Sequence, residues 1–219
     1  MNLAEVSART GIPVRELNRL NSDVWYHGTS EEGADSLQKL GVIALYNRGN
    51  MLDFGAGFYL TDTKERADSY ISRVPLIGAD YRPVKRKNWV VMDYRSNPYK
   101  ILFGDPATTS TDDMSMLDRP GYVFRNFPKH NEEFAKFAFD NRLNNVNNEK
   151  PHGIDIIWGV MSDNFPDQIV YDFLAGRLSY EKAIEKLQKP NSMKQLYIGN
   201  QGLCDMFELK NMYVGRAED

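Results

Sequence analysis

Apolar positions along the chain follow helical spacing in several stretches and strand-like alternation in few, and turn residues punctuate both. Residues 3–20 read as two short helices broken at Thr10-Gly11-Ile12-Pro13, since glycine closes a helix and proline is tolerated near a start. Val24 to His27 is a strand, and Glu31 to Leu40 a helix ending at Gly41. Gly57 to Thr61 is a second strand, after which Asp62-Thr63-Lys64-Glu65 has the form of a capping box opening a helix to about Ser72. Asn88 to Tyr94 and Tyr99 to Phe103 have strand composition, and residues 104–121, rich in Asp, Thr, Ser and Pro, read as an irregular insertion. Asn131 to Arg142 is a helix with Phe134, Phe137 and Ala138 at core spacing, followed by an asparagine-rich break at 144–148 and a buried strand from Ile154 to Trp158. Helices follow from Phe165 to Ala175 and from Tyr180 to Lys189, the second capped by Ser179 and stopped by Pro190. Lys194 to Ile198 and Met206 to Leu209 supply late strands. Strand and helix do not alternate regularly and no repeat is visible, so the pattern predicts an α+β fold rather than a doubly wound sheet.

Composition narrows the picture. With 219 residues and 42% hydrophobic content the chain is long enough for one sizeable core, and one main domain is expected. A formal net charge of -3 gives no global basic field, and the densest cationic run, Arg82, Lys85, Arg86 and Lys87, reads as solvated loop surface or a local patch. The single Cys204 rules out an internal disulfide, and with three scattered histidines it leaves no metal-ligand spacing, so no metal is expected. A reducing cytoplasm fits this cysteine usage. No apolar run approaches the length of a membrane span and the start lacks a signal-peptide core, so no membrane partner is expected; export by a specialised secretion machine would leave no such mark.

Candidate chemistry sits in two segments, Trp25-Tyr26-His27-Gly28-Thr29 and Asp53-Phe54-Gly55-Ala56-Gly57-Phe58-Tyr59-Leu60-Thr61, which offer an imidazole and a phenol on glycine-flanked strands. Glycine lets a ligand approach the backbone and the aromatic residues offer faces for a flat ring, as a nucleotide pocket requires. Each residue also has a plain structural reading: His27 as a satisfied strand histidine, and Tyr59 as core packing, although alternation sends Phe58 and Tyr59 to opposite faces. Leu60 stands where a dinucleotide phosphate loop has its third glycine, which excludes that motif. Three further blocks are Phe134 to Arg142, Ile154 to Asn164, and Gln195 to Ile198. Arg142 could pair with a diphosphate through its planar fork, or simply complement a helix C-terminus. Asp155, in an apolar strand, reads as satisfying a loop or Arg142 rather than as catalytic.

Taken in order from about residue 24 to about residue 210, these five blocks resemble the ADP-ribosyltransferase superfamily, in particular a bacterial group of its His-Tyr-Glu/Gln branch that begins tyrosine-histidine-glycine-serine/threonine. The resemblance implies an ADP-ribosyltransferase-like split antiparallel β-sandwich with surrounding helices, formed by residues 23–219 behind an N-terminal helical extension, 1–22. It implies NAD as cosubstrate, no metal, and mono-ADP-ribosyl transfer to a macromolecular acceptor, protein or nucleic acid, in the manner of a bacterial toxin or effector that an antitoxin or regulatory protein would partner. His27 would bind a ribose hydroxyl, the Gly28 backbone the nicotinamide carboxamide, and Tyr59 would stack on nicotinamide, with Thr29, Gly57 and Arg142 completing the cofactor contacts. Gln195 matches the third catalytic position, usually glutamate and often glutamine in this group. A neutral amide orients and hydrogen-bonds but cannot stabilise cationic charge as a carboxylate does, and Met193 and Tyr197 stand where arginine-modifying toxins carry paired acids. Glu208 is a rival carboxylate near a late strand end. NAD hydrolysis with water as acceptor, and a noncatalytic NAD-binding or DNA- or partner-binding regulatory module, are the alternatives. In the last of these, Arg15, Glu16, Asn18 and Arg19 would lie on a recognition helix; otherwise residues 3–20 form a packed flap.

Overall fold

Two short helices open the chain, α1 (Leu3–Thr10) and α2 (Val14–Leu20), in a computed structural model that describes residues 2–47, 51–74, 76–77, 83–104, 123–147, 152–162 and 166–217. A capping box closes the start of α1: the Glu5 amide donates to the Asn2 side chain, and the Asn2 amide to the Glu5 carboxylate, both at 3.0 Å. Val6, Ile12, Leu17 and Leu20 are buried beneath these helices. Arg19 turns inward, its Nε donating to Asp62 at 2.6 Å and one terminal nitrogen to buried Glu16. These contacts pack α2 against the residues that precede α4, while Arg15 on the same helix stays exposed.

By residue number the chain falls into two interleaved units, 1–42 with 60–120 and 205–219, and 43–59 with 121–204. The first unit holds a three-stranded, fully antiparallel sheet, β1 (Val24–Thr29), β5 (Asn88–Arg95) and β9 (Glu208–Arg216), in the order β1-β5-β9. Its helices beyond α2 are α3 (Glu31–Leu40), α4 (Lys64–Arg73) and α5 (Pro98–Phe103), and a two-stranded pair, β3 (Leu76–Ile77) and β4 (Pro83–Val84), completes it. Ala67 and Ile71 of α4 pack on Trp89 and Val91 with Tyr26 against them, so by alternation His27 lies on the opposite sheet face with Val90, Met92 and Tyr94.

The second unit holds a four-stranded sheet, β2 (Phe58–Leu60), β6 (Phe124–Phe127), β7 (Ile156–Val160) and β8 (Lys194–Ile198), in the order β2-β8-β7-β6, with β7 antiparallel to β8 and parallel to β6. Helix α6 (Glu132–Asn147) joins two cores. Phe134 and Ala138 pack with Phe54, Phe127, Ile157 and Tyr197 of one core, while Ala135 and Phe139 pack with Ile169 and Val170 of α7 (Pro166–Leu174) and Ala183, Ile184 and Leu187 of α8 (Tyr180–Leu187) in the other. A short α9 (Gln201–Cys204) follows β8. The chain is therefore α+β with two mostly antiparallel sheets. Among the described residues no helix is long and apolar enough to cross a membrane, and no group of three or more His, Cys, Asp or Glu is placed to hold a metal ion.

Four elements that the sequence pattern predicts take a different form, and β3, β4, β6 and α9 have no counterpart in it. Tyr99 to Phe103 is helical, not extended: Asn97 caps the Lys100 amide at 2.9 Å, Pro98 opens the first turn, and the Tyr99 and Phe103 rings, one turn apart, meet at 5.1 Å. Helix α6 runs through the asparagines to Asn147, with Leu143 packed against the Phe139 core, so tertiary contact outweighs weak helix propensity. Thr63 rather than Asp62 caps α4, and Asp62 instead pairs with Arg19 and Arg66. Strand β9 extends to Arg216, well past Leu209; it is an edge strand exposed on most positions, so it carries no apolar alternation to read. All of the 104–121 insertion but Gly104, together with Arg82, Asp163 and Asn164, lies outside the described residues.

Asn97 does more than cap. Its amide also donates to Asp23 at 2.8 Å and to the Asn21 side chain at 3.1 Å, tying α5 to the turn between α2 and β1. Asn97→Ala is expected to lower stability by about 1–2 kcal/mol, read as a shift in urea midpoint at unchanged slope.

Candidate functional site

The predicted residues fall in two places, each built by one unit. In the first, β1 forms one edge of its sheet, and a single bridge decides which way its backbone points. Tyr26 exchanges both main-chain hydrogen bonds with Thr61, its amide donating at 2.9 Å and its carbonyl accepting at 2.8 Å. The backbone groups of Tyr26 therefore face away from β5, and by the two-residue period of a strand so do those of Gly28. The carbonyls and amides of Trp25, His27 and Thr29 face β5 instead. Gly28 thus presents one N–H and one C=O side by side on the outer edge of β1, beyond the Thr61 bridge.

Why this position is glycine is also visible. A Cβ there would come within 2.7 Å of the Ala67 carbonyl and 2.9 Å of the Ile71 side chain, so the absent side chain lets α4 lie close on the strand. His27 and Thr29 project from the opposite face, both half-buried.

The second place is the loop from Asp53 to Gly57 and the polar cluster around it. Asp53 is buried, and its carboxylate is held on all sides. Arg142 reaches one oxygen through Nε at 2.8 Å and a terminal nitrogen at 2.7 Å, and the Ser162 hydroxyl donates to the same oxygen. The other oxygen accepts from the Ser162 amide at 2.7 Å and from the Gln195 amide group at 3.5 Å. The rest of the Arg142 fork goes to the Met51 carbonyl and Asp167, each at 2.6 Å. Arg142 and Gln195 are themselves buried. Removing one partner of such a pair leaves an uncompensated buried charge, which costs about 3–5 kcal/mol.

The loop is pinned residue by residue. The Tyr59 hydroxyl donates to the Gly55 carbonyl at 2.6 Å and accepts from the Phe54 amide at 3.1 Å. The Tyr197 hydroxyl donates to the Ala56 carbonyl at 2.9 Å. The Asn47 side chain takes both backbone groups of Gly57, at 2.8 and 2.9 Å. His152 binds the Phe54 carbonyl at 2.7 Å, and the Asn141 amide group donates to the Asp53 and Phe137 carbonyls. Burial pushes the Tyr59 phenol well above its ordinary range, with Tyr197 and Asp53 adding to the effect, so it stays a neutral donor at physiological pH. A Cβ on Gly57 would overlap the Tyr197 ring: that glycine makes room for packing, and its space is filled.

No protein-family model, curated protein or solved structure matches the chain.

The second unit brings Tyr59, Arg142 and Gln195 to one cluster, with Gly57 in the same pinned loop; His27, Gly28 and Thr29 belong to the first unit. Arg142 is turned to the carboxylates of Asp53 and Asp167, and with α6 running on to Asn147 it does not hold the helix-end role that the sequence suggests. Asp155 satisfies a loop, accepting from the Val123 amide at 2.7 Å and the Asn200 side chain at 3.0 Å, and does not meet Arg142. Sequence reasoning assigned no role to Asp53, Asn47, His152, Ser162 or Tyr197. The signal for Asp53 was present in its place just ahead of the glycine-rich run. Its partners lie 89, 109 and 142 residues away, with no local pattern to show them.

The contact between Gln195 and Asp53 gives a physical reason for glutamine at the third position: a glutamate there would set a second carboxylate beside a buried one. In Gln195→Glu the new carboxyl should keep its proton in the folded state above the ordinary glutamate value near 4.3. Its folded pKa being raised, the destabilisation is absent below the unfolded value and grows as pH rises through the folded value. Urea unfolding should show a loss of roughly 2 kcal/mol at neutral pH that shrinks toward pH 4; a pH-independent difference from the parent protein would refute the assignment.

Proposed function

We propose that the protein is a mono-ADP-ribosyltransferase that takes NAD as cosubstrate and transfers ADP-ribose to a macromolecular acceptor. One observation carries the reading: at the position matching the family's glycine, the strand edge offers an N–H and a C=O together. A carboxamide has one acceptor oxygen and two donor hydrogens, so nicotinamide can pair with that edge as a short strand would. Gly28 is thus assigned to the nicotinamide end, with His27 next to it for a ribose hydroxyl and Thr29 beyond. The same reading takes the two sheets as the components of the family's split antiparallel sandwich.

The chemistry asks little of side chains beyond placement. The bond between the ribose carbon and the nicotinamide nitrogen breaks with its electrons leaving on nicotinamide, which departs as a neutral ring. The transition state resembles an oxocarbenium ion. The acceptor then adds a lone pair to that carbon and gives up a proton. Holding the dinucleotide and shielding the carbon from water are the larger contributions. Tyr59 and Gln195 enter as positioning residues: the phenol and the amide keep the pinned loop in one conformation, and the ring of Tyr59, half-buried, is suited to an aromatic ligand.

The test is to incubate the protein and its His27→Ala variant with NAD labelled in the adenosine moiety, in separate pools of bacterial protein and RNA, and to follow free nicotinamide and bound label. Label in one pool, reduced at least roughly ten-fold in the variant at an unchanged unfolding midpoint, is the expected result. Nicotinamide without label would assign hydrolysis instead. Absence of both release and dinucleotide binding would overturn the proposal.

A further inference from the structure

Among the groups that pin the Asp53–Gly57 loop, His152 is the one whose protonation state can change near neutral pH. Its hydrogen bonds define the neutral form. The Ile154 amide donates to Nδ1 at 3.0 Å, so Nδ1 carries no proton. Nε2 lies 2.7 Å from the Phe54 carbonyl and must therefore donate to it. The ring sits against Phe137 at 5.1 Å and Tyr197 at 5.6 Å between centroids. A second proton would have to go on Nδ1, where it would face the Ile154 N–H, donor against donor, inside an aromatic wall.

We propose that His152 is an acid-sensitive latch on the Asp53–Gly57 loop: neutral, it fastens Phe54, and protonated, it leaves its place and releases the loop. The surroundings favour this direction. Burial holds the imidazole below its ordinary value of 6.5, and the Arg125 guanidinium adds to that, with the bond to Phe54 opposing. Arg125, on β6, is the cation facing the ring among the described residues, and it is itself paired with Glu133 of α6 at 2.8 Å. From the loop and β8, Tyr59 and Tyr197 are held neutral by burial, and Asp53 is engaged by Arg142. No described carboxylate is hydrogen-bonded to the ring to stabilise an imidazolium.

The sign follows from linkage. With the folded pKa depressed, the latch contributes fully above 6.5, and its contribution is lost as pH falls from there through the folded value. One coupled proton weakens closure by at most about ten-fold per pH unit. The latch rests on hydrogen-bond geometry and not on the proposed reaction, so its test uses no NAD.

Amide hydrogen exchange at Phe54, Gly55 and Gly57, expressed as protection factors, would be followed from pH 7.5 to 5.0 beside an NMR titration of the His152 ring. Protection is expected to fall roughly ten-fold or more, in step with the ring's protonation. In His152→Gln, which cannot gain charge in this range, the fall should be absent even where protection starts lower. A loop that stays protected while the ring titrates, or one that loosens equally in His152→Gln, would overturn the latch.

Discussion

The buried carboxylate of Asp53 is the constraint on which the second unit depends. Four segments distant in sequence converge on it: its own loop, Arg142 from α6, Ser162 after β7, and Gln195 from β8. A carboxylate with this little water must have its charge balanced and its lone pairs filled, and here both conditions are met by groups that come together only in the folded state. Such a pair adds little net stability over an apolar substitute, because desolvation offsets attraction. It does exclude misplacement of α6 against the sheet, since any slip leaves a charge unpaired. Specificity of arrangement, more than stability, is what Asp53 supplies.

The same demand for satisfaction explains why the Asp53–Gly57 loop is held by side chains rather than by a strand partner. A loop with two glycines and one alanine in five residues has much conformational freedom to lose. Its backbone groups from Asp53 to Gly57 are met by Asn141, Tyr59, His152, Tyr197 and Asn47, which substitute for a ladder. Four of these are aromatic or amide side chains that stay neutral throughout the physiological range, and His152 alone titrates near it. Tyr59 matters here twice, as a phenol that closes its own preceding turn and as a ring lying parallel to Phe54 at 6.3 Å.

Elements with a local cause were legible in the sequence. The break at Gly11-Ile12-Pro13, the caps of α3 and α8 at Gly41 and Ser179, and the buried runs of β7 and β8 each declare themselves within a few residues. Elements set by tertiary surroundings were not: β9 has solvent on both faces, and the last turns of α6 ride on Leu143. The division of the chain into interleaved units follows from long-range pairing and has no boundary signal in composition. For the candidate site, the residue types and the two glycine-flanked segments could be read, but the function of Arg142 could not. An arginine at a helix end is equally suited to a phosphate, a helix dipole or a carboxylate. The position of Asp53 shows the carboxylate it meets in the fold.

A division of labour follows between the two groups of motif residues. Those on β1 include a backbone donor and acceptor on Gly28 turned to the outer edge of the strand, with the side chains of His27 and Thr29 on its opposite face. Those of the second unit spend their polar groups on one another. The proposed transfer, with its oxocarbenium-like transition state, would gain from such rigidity, because donors and rings already in place need no reorganisation as charge develops. Under that requirement glutamine at position 195 ceases to be a weakened glutamate. It is the residue that can complete the Asp53 cluster with a hydrogen bond while adding no second negative charge; in the proposed transfer, the cationic character of the ribose would be met by groups outside that cluster.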